Sequence, residues 1–293
     1  MQTDTIEKSK ISNTETEGIQ REPDIYDSIQ FLQNALINDP TNCDDQCNLA
    51  ICYGLIYEMD KSIELFSKIL DESPGFLPAL DKLGRALIIW GHQVGATGWF
   101  SIYEAAYLYR LVRELENPAP VIIELGSCFG LSSMIIAKAL SNKPDALIYC
   151  IDAWEEDGSS VSQDTREFVQ DKAKSNISFF EIFQNNMKEF NVDHQLIPIK
   201  AYTSDVAKIW TQEADLIFVD ADHSYEGVCN DVSDWKDCVK VGGQILLHDV
   251  KLECAGSDED SAPGRVVNEL LGENSNFSSG TLVDSLYLAE RLR

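Results

Sequence analysis

Between Val121 and Ser133 the chain reads Val-Ile-Ile-Glu-Leu-Gly-Ser-Cys-Phe-Gly-Leu-Ser-Ser, which predicts a strand, a tight turn and a helix in immediate succession. The apolar run is that of a buried strand, and Gly126 and Gly130 provide the turn. Such a unit places backbone N–H groups and a helix N-terminus at the rim of a parallel sheet, where nucleotide-like ligands bind. The spacing E-x-G-x-x-x-G differs from the G-x-G-x-x-G of dinucleotide sites. Because Glu124 ends the strand, we expect a ligand that carries positive charge rather than a pyrophosphate.

Composition excludes several classes of function. The chain has 293 residues, of which 44% are hydrophobic, so it can form one large domain or two smaller ones. Its formal net charge of −26 disfavours nucleic acid and anionic membranes as partners. No secretory leader, no membrane-spanning run and no C-x-x-C zinc pair is seen, and the eight cysteines are scattered. We therefore expect a cytoplasmic protein with reduced thiols.

The region from 24 to 91 has a helical pattern that repeats after 34 residues. The matching positions are Ser28 and Ser62, Leu32 and Phe66, Ala35 and Ile69, Leu36 and Leu70, Pro40 and Pro74, Leu49 and Leu83, and Ala50 and Gly84. A 34-residue period of paired helices resembles the tetratricopeptide repeat, although Gln46, Tyr57 and Ile69 depart from its usual residues. Only about two and a half units are present, fewer than such arrays need to be stable alone. We expect the repeats to pack on the domain that follows.

These patterns divide the chain into three parts. Residues 1–23 are polar and are predicted to be a disordered tail. Residues 24–91 form the helical repeats, and the glycine-rich stretch 91–98 is the boundary to a domain at 99–293. That domain opens with a capping box at Ser101 and Glu104.

Strands and helices then alternate, which is typical of a parallel sheet covered on both faces, an α/β Rossmann-like fold. The predicted strands lie near 121–125, 146–151, 196–200, 215–220 and 244–248. The predicted helices lie near 129–141, 180–190, 203–210 and 224–239. A closing antiparallel pair is predicted near 275–279 and 282–289.

Polar side chains follow the predicted strands, at the edge of the sheet where ligands bind. Asp152 ends the second strand, where an acid can bind both hydroxyls of a ribose or can serve as a helix cap. A later strand is followed by Asp220, Asp222 and His223, and the next by His248-Asp249. Clustered carboxylates and histidines can bind a divalent cation and move a proton, although Asp222 can also simply cap the next helix.

Four segments together resemble the class I S-adenosylmethionine-dependent methyltransferases. They are Glu124-Leu-Gly-Ser-Cys-Phe-Gly130, Ile151-Asp-Ala-Trp154, Val219-Asp-Ala-Asp-His-Ser-Tyr-Glu-Gly-Val228 and Gly242-Gly-Gln-Ile-Leu-Leu-His-Asp249. The subgroup with the greatest resemblance contains metal-dependent sugar O-methyltransferases and cephalosporin-hydroxylase-like proteins, and the likeness spans residues of about 100–290. It implies a seven-stranded sheet, an enzyme that transfers a methyl group, and S-adenosylmethionine as the cofactor. This molecule has no phosphate and carries an amine and a sulfonium, in keeping with Glu124.

The resemblance also implies roles for single residues. Glu124, Gly126, Ser127 and Gly130 would line the methionine part of the cofactor, Asp152 the ribose, Ala153 and Trp154 the adenosine, and Ser204 the adenine. Asp220 and Asp249 would hold Mg²⁺ or another divalent cation, and His223 would be the general base. His248 stands where family members often have an acidic residue, and we take it as a further metal ligand.

The implied reaction is methyl transfer to a hydroxyl of a sugar or other small molecule, with the acceptor held by loops at 155–180 and 253–264. Three alternatives remain open. The repeats can be the functional part, binding a protein partner while the second domain is a scaffold. His223, His248 and Asp249 can form the iron site of a hydroxylase-like enzyme. A nicotinamide-linked dehydrogenase is a more distant reading, because the glycine spacing is wrong.

Overall fold

The computed structural model describes residues 24–155, 177–252, 261–272 and 275–293. The predicted disordered tail and most of both acceptor loops lie outside these ranges. Within them, no helix is long and apolar enough to cross a membrane.

The chain begins with an all-helical region. Its helices are α1 (Ile25–Asn38), α2 (Cys43–Leu55), α3 (Met59–Glu72) and α4 (Leu77–Val94). Helix α3 begins 34 residues after α1, and α4 begins 34 residues after α2, as the sequence period predicts. The buried Ser62 hydroxyl donates to the Ala50 carbonyl at 2.7 Å, which joins α3 to α2. The all-helical region is confirmed, whereas its assignment to the tetratricopeptide repeat stays a prediction.

The helical region packs on the rest of the molecule through α5 (Ile102–Arg113), which starts with the predicted capping box. A Cβ on Gly84 would lie 2.1 Å from the carbonyl oxygen of Ile102, so only glycine permits this approach of α4 and the start of α5. The hydroxyls of Ser67 and Tyr109 lie 2.6 Å apart in the same interface. One buried apolar cluster extends from the repeats into the sheet, which is the packing expected for a short array.

The remaining residues form a seven-stranded sheet in the order β3-β2-β1-β4-β5-β7-β6. Its strands are β1 (Val121–Leu125), β2 (Leu147–Asp152), β3 (Leu196–Lys200), β4 (Ala214–Val219), β5 (Val239–Leu247), β6 (Thr281–Val283) and β7 (Leu286–Glu290). The first five strands are parallel and β7 runs antiparallel to β5. The predicted Rossmann-like sheet is therefore confirmed.

Helices cover both faces of this sheet. They are α6 (Leu131–Ala139), α7 (Phe179–Glu189), α8 (Thr203–Ala207), α9 (Tyr225–Trp235) and α10 (Ala262–Val266), the last continued by a π-helical turn at Val267–Leu271. Alternate strand residues point to opposite faces, so Ile122 and Phe218 pack with α5, α6 and α7, whereas Ile123 and Ile217 pack with α8, α9 and α10.

Two strand predictions were inaccurate. The segment 275–279 is not a strand, and only Phe277 makes an isolated bridge, to Arg291. The antiparallel pair is β6 with β7, because the chain turns at Asp284, which has a φ of +55°. Strand β5 begins at Val239, earlier than predicted, because it continues through the irregular pairing at Gly242.

Candidate functional site

The polar residues predicted at the strand ends lie along one rim of the sheet. Backbone hydrogen bonds join the ends of neighbouring strands: the Gly126 N–H donates to Ile151 at 2.9 Å, and the Asp220 N–H donates to Leu125 at 2.8 Å. The His248 N–H donates to Val219 at 3.1 Å. The glycine turn, Asp220 and His248 are thus adjacent, as expected for the carboxyl ends of parallel strands.

The glycine turn has a backbone that glycine alone adopts without strain. Gly126 has a φ of +87°, and a Cβ there would lie 2.3 Å from the carbonyl oxygen of Asp220. Gly130 has a φ of +92°, and its Cβ would lie 2.2 Å from Cε of Met187. Cys128, between them, has a φ of +45°, a strained value for a non-glycine residue. The turn is therefore fixed against both β4 and α7.

Glu124 is fully buried beneath this turn. Its Oε2 accepts hydrogen bonds from the hydroxyls of Ser127, at 2.6 Å, and Ser133. Its Oε1 is buried and has no hydrogen-bond partner among the described residues. Burial raises the pKa of the carboxyl group against the opposing effect of these hydroxyls. One oxygen thus organises the turn while the other remains available to a donor.

Asp152 binds the glycine turn directly. Its Oδ2 accepts from the backbone N–H groups of Ser127 at 3.0 Å and Cys128 at 2.9 Å, and its Oδ1 accepts from the N–H of Trp154 at 2.6 Å. Burial raises the pKa of Asp152 against these three bonds. Since a carboxylate has about four acceptor sites, capacity remains for a ligand hydroxyl. Among the described residues, Asp152 caps no helix.

The indole of Trp154 lies under the same turn. Its ring is 2% exposed, packs on Phe180 and Phe183, and donates from Nε1 to the Cys128 carbonyl at 2.7 Å. It therefore shapes the turn instead of presenting a free face to solvent. Ala153 and Ser204, the other residues predicted near the adenosine, are half-buried, and Ser204 lies in α8.

Asp220, His223, His248 and Asp249 form one charged cluster. The Asp220 Oδ1 lies 3.3 Å from Nε2 of His223 and 3.1 Å from Nδ1 of His248. The other ring nitrogen of His223 lies 3.2 Å from Oδ2 of Asp249. Ligand atoms of Asp220, His223 and Asp249 all lie within 4.8 Å of one another, and His248 adds Nδ1 at 3.8 Å from Asp249. A divalent cation fits such a set of carboxylate oxygens and imidazole nitrogens.

The two histidines have different surroundings. The His223 side chain is 53% exposed, and its hydrogen bond to Asp220 raises its pKa despite partial burial. His248 is buried and stacks on Phe100 with ring centroids 4.7 Å apart. Burial opposes its charge, but Asp220 and Glu104 outweigh that effect and raise the pKa of His248 to about 11. His223 thus faces solvent at the rim, and His248 supports the cluster from inside.

Glu104 is a residue of this site that sequence reasoning missed. Its Oε2 lies 3.6 Å from Nε2 of His248, and its Oε1 accepts from the backbone N–H of Ser285 at 2.8 Å. Burial opposes its ionisation, but the facing imidazole of His248 and hydrogen bonds from Ser285 and Ser101 lower its pKa to about 2. The sequence marked Glu104 only as a helix cap, and no pattern indicated that this helix would start beside β5.

Asp222 belongs to the helix start rather than to the cluster. It accepts from the N–H of Ser224 at 2.9 Å and from the Ser224 hydroxyl at 2.9 Å, and Ser224 caps α9. The reading of Asp222 as part of a helix cap, left open by the sequence, agrees with this geometry.

A groove of about 660 Å³ lies away from this rim, between the helical region and α7. Tyr57, Met59 and Trp90 line one side, and Asn185 and Glu189 line the other.

Comparison with known proteins finds similarity to methyltransferases. Residues 123–250 match the family model described as "Methyltransferase domain". The SAH-bound methyltransferase PaMTH1 of Podospora anserina has a similar structure, with a TM-score of 0.51 at 16% identity, over 71% of this chain and 87% of that chain. The O-methyltransferase TomG of Streptomyces achromogenes, solved in complex with SAM, matches with a TM-score of 0.49 at 20% identity, over 72% of this chain and 89% of that chain. Residues 123–250 are thus similar in sequence to a methyltransferase domain, and the observed sheet has a Rossmann-like fold.

Proposed function

We propose that this chain is an S-adenosylmethionine-dependent O-methyltransferase that methylates a hydroxyl of a small molecule, with a sugar as the favoured acceptor. The observation that carries the proposal is the direct contact between the glycine turn and the charged cluster. Gly126 of the cofactor turn packs on the backbone of Asp220, which bears the carboxylate of the charged cluster. A methyl donor on the turn would therefore lie beside the groups that can activate an acceptor.

The residues of the turn fit this cofactor. The orphaned Oε1 of Glu124 is a buried acceptor next to the turn and can offset the positive charge of the ligand, and Asp152 retains capacity for a ribose hydroxyl. PaMTH1, which shares the fold, binds SAH. When bound, S-adenosylmethionine supplies a methyl group already activated by its sulfonium. The turn and Asp152 then hold the donor in line with the acceptor, and such positioning can supply about 7–11 kcal/mol.

The cluster fits a divalent cation held by Asp220, Asp249 and His248. An ion there would bind acceptor hydroxyls and lower the pKa of one of them. We assign His248 rather than His223 as the imidazole ligand because His248 is buried and supported by Glu104, whereas His223 is exposed at the rim. A buried, oriented ring suits a ligand, and an exposed ring suits contact with the acceptor.

His223 is the proposed general base. Without a bound cation, Asp220 and Asp249 stabilise the protonated form of His223. A cation held by these two carboxylates would offset their charge, and His223 would then favour its neutral form. The imidazole can then take the hydroxyl proton while the oxygen bonds to the methyl carbon and the carbon–sulfur bond breaks. General-base catalysis of this kind contributes about 10²–10⁴ in rate.

The negative charge of the chain supports an uncharged acceptor. A chain with a net charge of −26 disfavours phosphorylated or carboxylated acceptors, and a sugar with neighbouring hydroxyls can chelate an ion. The seven described cysteines are all free, which supports a cytoplasmic location. The repeats are proposed to bind a protein partner, for which the groove lined by Tyr57 and Trp90 is the suggested place.

The test is formation of S-adenosylhomocysteine from S-adenosylmethionine and Mn²⁺ with a panel of neutral glycosides. We expect His223→Ala to retain cofactor binding and to lower transfer by at least about tenfold. His194→Ala is the matched control, because His194 is exposed and lies before β3, away from the carboxyl-end rim. Equal activity of the two variants would remove His223 as the base.

A second candidate is a hydroxylase-like iron enzyme. The observation in its favour is that Asp249 Oδ2 lies 3.2 Å from His223 and 3.8 Å from His248, so two histidines and one carboxylate converge. The two functions differ in what is consumed. Oxygen uptake with Fe²⁺, without loss of S-adenosylmethionine, would favour the hydroxylase.

A further inference from the structure

The pair formed by Glu104 and His248 lies behind the proposed metal site, on the side of the ring away from Asp220. Both side chains are buried, with 3% and 4% exposure, and the Glu104 Oε2 lies 3.6 Å from Nε2 of His248. That nitrogen is buried and forms no hydrogen bond within the described residues, so Glu104 is its facing acceptor. The opposite nitrogen, Nδ1, points to Asp220 and Asp249 at 3.1 and 3.8 Å.

This order of groups is the one that orients an imidazole toward a metal ion. A ligating histidine usually donates its second N–H to a carboxylate, which fixes the ring and makes the other nitrogen a better ligand. Phe100, stacked on the ring, restricts its rotation further. Glu104 is itself held by the N–H groups of Ser101 and Ser285, each at 2.8 Å. The carboxylate therefore has a fixed position behind the ring.

We propose that Glu104 is a positioning residue that orients His248 as an imidazole ligand, so that the site takes an imidazole-accepting divalent ion such as Mn²⁺ in preference to Mg²⁺. This inference rests on the metal site in the proposed function. Imidazole suits transition metals, whereas Mg²⁺ prefers oxygen ligands and keeps its waters. As a ligand, Nδ1 of His248 would thus shift the preference of an otherwise carboxylate-based site from Mg²⁺ toward Mn²⁺.

The experiment is calorimetric titration of the full-length chain with MnCl₂ and with MgCl₂. We expect wild-type protein to bind Mn²⁺ more tightly than Mg²⁺, and Glu104→Gln to weaken Mn²⁺ binding by about 10–100-fold. Ser285→Ala is the matched control, since it removes one hydroxyl from Glu104 Oε1 and leaves Oε2 facing His248. Its Mn²⁺ affinity should stay within about twofold of wild type, because the contact of Glu104 with His248 is intact.

A double-mutant cycle separates positioning from general loosening of the fold. In a His248→Asn background, Glu104→Gln should cause no further loss of Mn²⁺ affinity, because its effect passes through the imidazole. The preference for Mn²⁺ over Mg²⁺ should also narrow in His248→Asn. Thermal unfolding and S-adenosylmethionine affinity are measured for every variant without added metal ion, so that neither readout reports on metal binding.

The outcomes distinguish this inference from the proposal on which it rests. Unchanged Mn²⁺ affinity in Glu104→Gln, or an equal loss in the presence and absence of His248, would overturn the role of Glu104 and leave the metal site standing. No binding of either ion by folded wild-type protein would overturn both. Loss of Mn²⁺ binding in His223→Ala but not in His248→Asn would assign the ligand to the other ring and refute this inference.

Discussion

Replacement of Gly126 by alanine is expected to damage both the fold and the proposed cofactor site. A φ of +87° costs a non-glycine residue about 1–2 kcal/mol. The added Cβ would also lie 2.3 Å from the Asp220 carbonyl and 2.6 Å from the Ala221 Cα, both backbone atoms of the next strand end. Overpacking of this kind typically costs about 1–3 kcal/mol. The two effects together predict a loss of about 2–5 kcal/mol.

Gly242→Ala is the matched control for this prediction. Gly242 has a φ of +79°, close to that of Gly126, but nothing lies within 4 Å of its Cβ position. It should therefore lose only the conformational part, about 1–2 kcal/mol, and keep the cofactor affinity of wild type. The difference between the two variants in the free energy of unfolding measures the effect of the contact between the turn and Asp220.

The assay is urea unfolding followed by circular dichroism, together with titration of each variant with S-adenosylmethionine. Gly126→Ala should unfold at a lower urea concentration than Gly242→Ala and should bind the cofactor at least about tenfold more weakly, equivalent to about 1.4 kcal/mol. Equal destabilisation of the two variants would refute the contact argument. Wild-type affinity in Gly126→Ala would refute the placement of the cofactor on this turn.

Three further predictions concern stability. Ser133→Ala removes a hydroxyl that donates to the buried Glu124 and should lower the free energy of unfolding by about 1–3 kcal/mol in urea titration, and no change would contradict the role of Glu124 in the turn. Tyr109→Phe removes the bond to Ser67 and should cost about 0.5–1.5 kcal/mol, with wild-type stability as the contrary result. Burial raises the pKa of Asp231 to about 6, above its unfolded value of 3.8, so this residue lowers stability as pH rises from about 4 to 6. The stability of Asp231→Asn relative to wild type should therefore increase from pH 4 to pH 6, and a constant difference across that range would contradict the burial argument.

Much of the fold follows from local sequence patterns. The apolar runs before Glu124, Asp152 and Asp220 are buried parallel strands, and the Ser101 capping box starts a helix, as predicted. These features depend on residues that are close together in the chain, so they can be predicted from local sequence patterns. The end of the chain was harder to predict. The segment 275–279 consists of serine and asparagine around Phe277 and makes only an isolated bridge to Arg291, whereas the antiparallel pair forms around the turn at Asp284.

The site shows the same division. Parallel strand order brings Asp220, His223, His248 and Asp249 together, so their clustering was predictable from their places at the strand ends. The distinct surroundings of the two histidines were not predictable, because His248 is buried against Glu104, which lies 144 positions earlier in the chain. The place of Trp154 near the adenosine stays a prediction, and the packing of its indole on α7 was not predicted. That contact is set by tertiary packing, which local patterns do not encode.

Calorimetric titration of the full-length chain with S-adenosylmethionine, with and without Mn²⁺, tests the central claim most directly. The proposed cofactor site predicts saturable binding of one molecule per chain, with or without the ion, and its loss or marked weakening in Gly126→Ala but not in Gly242→Ala. Absence of binding by a folded sample under both conditions would contradict the proposed methyltransferase function.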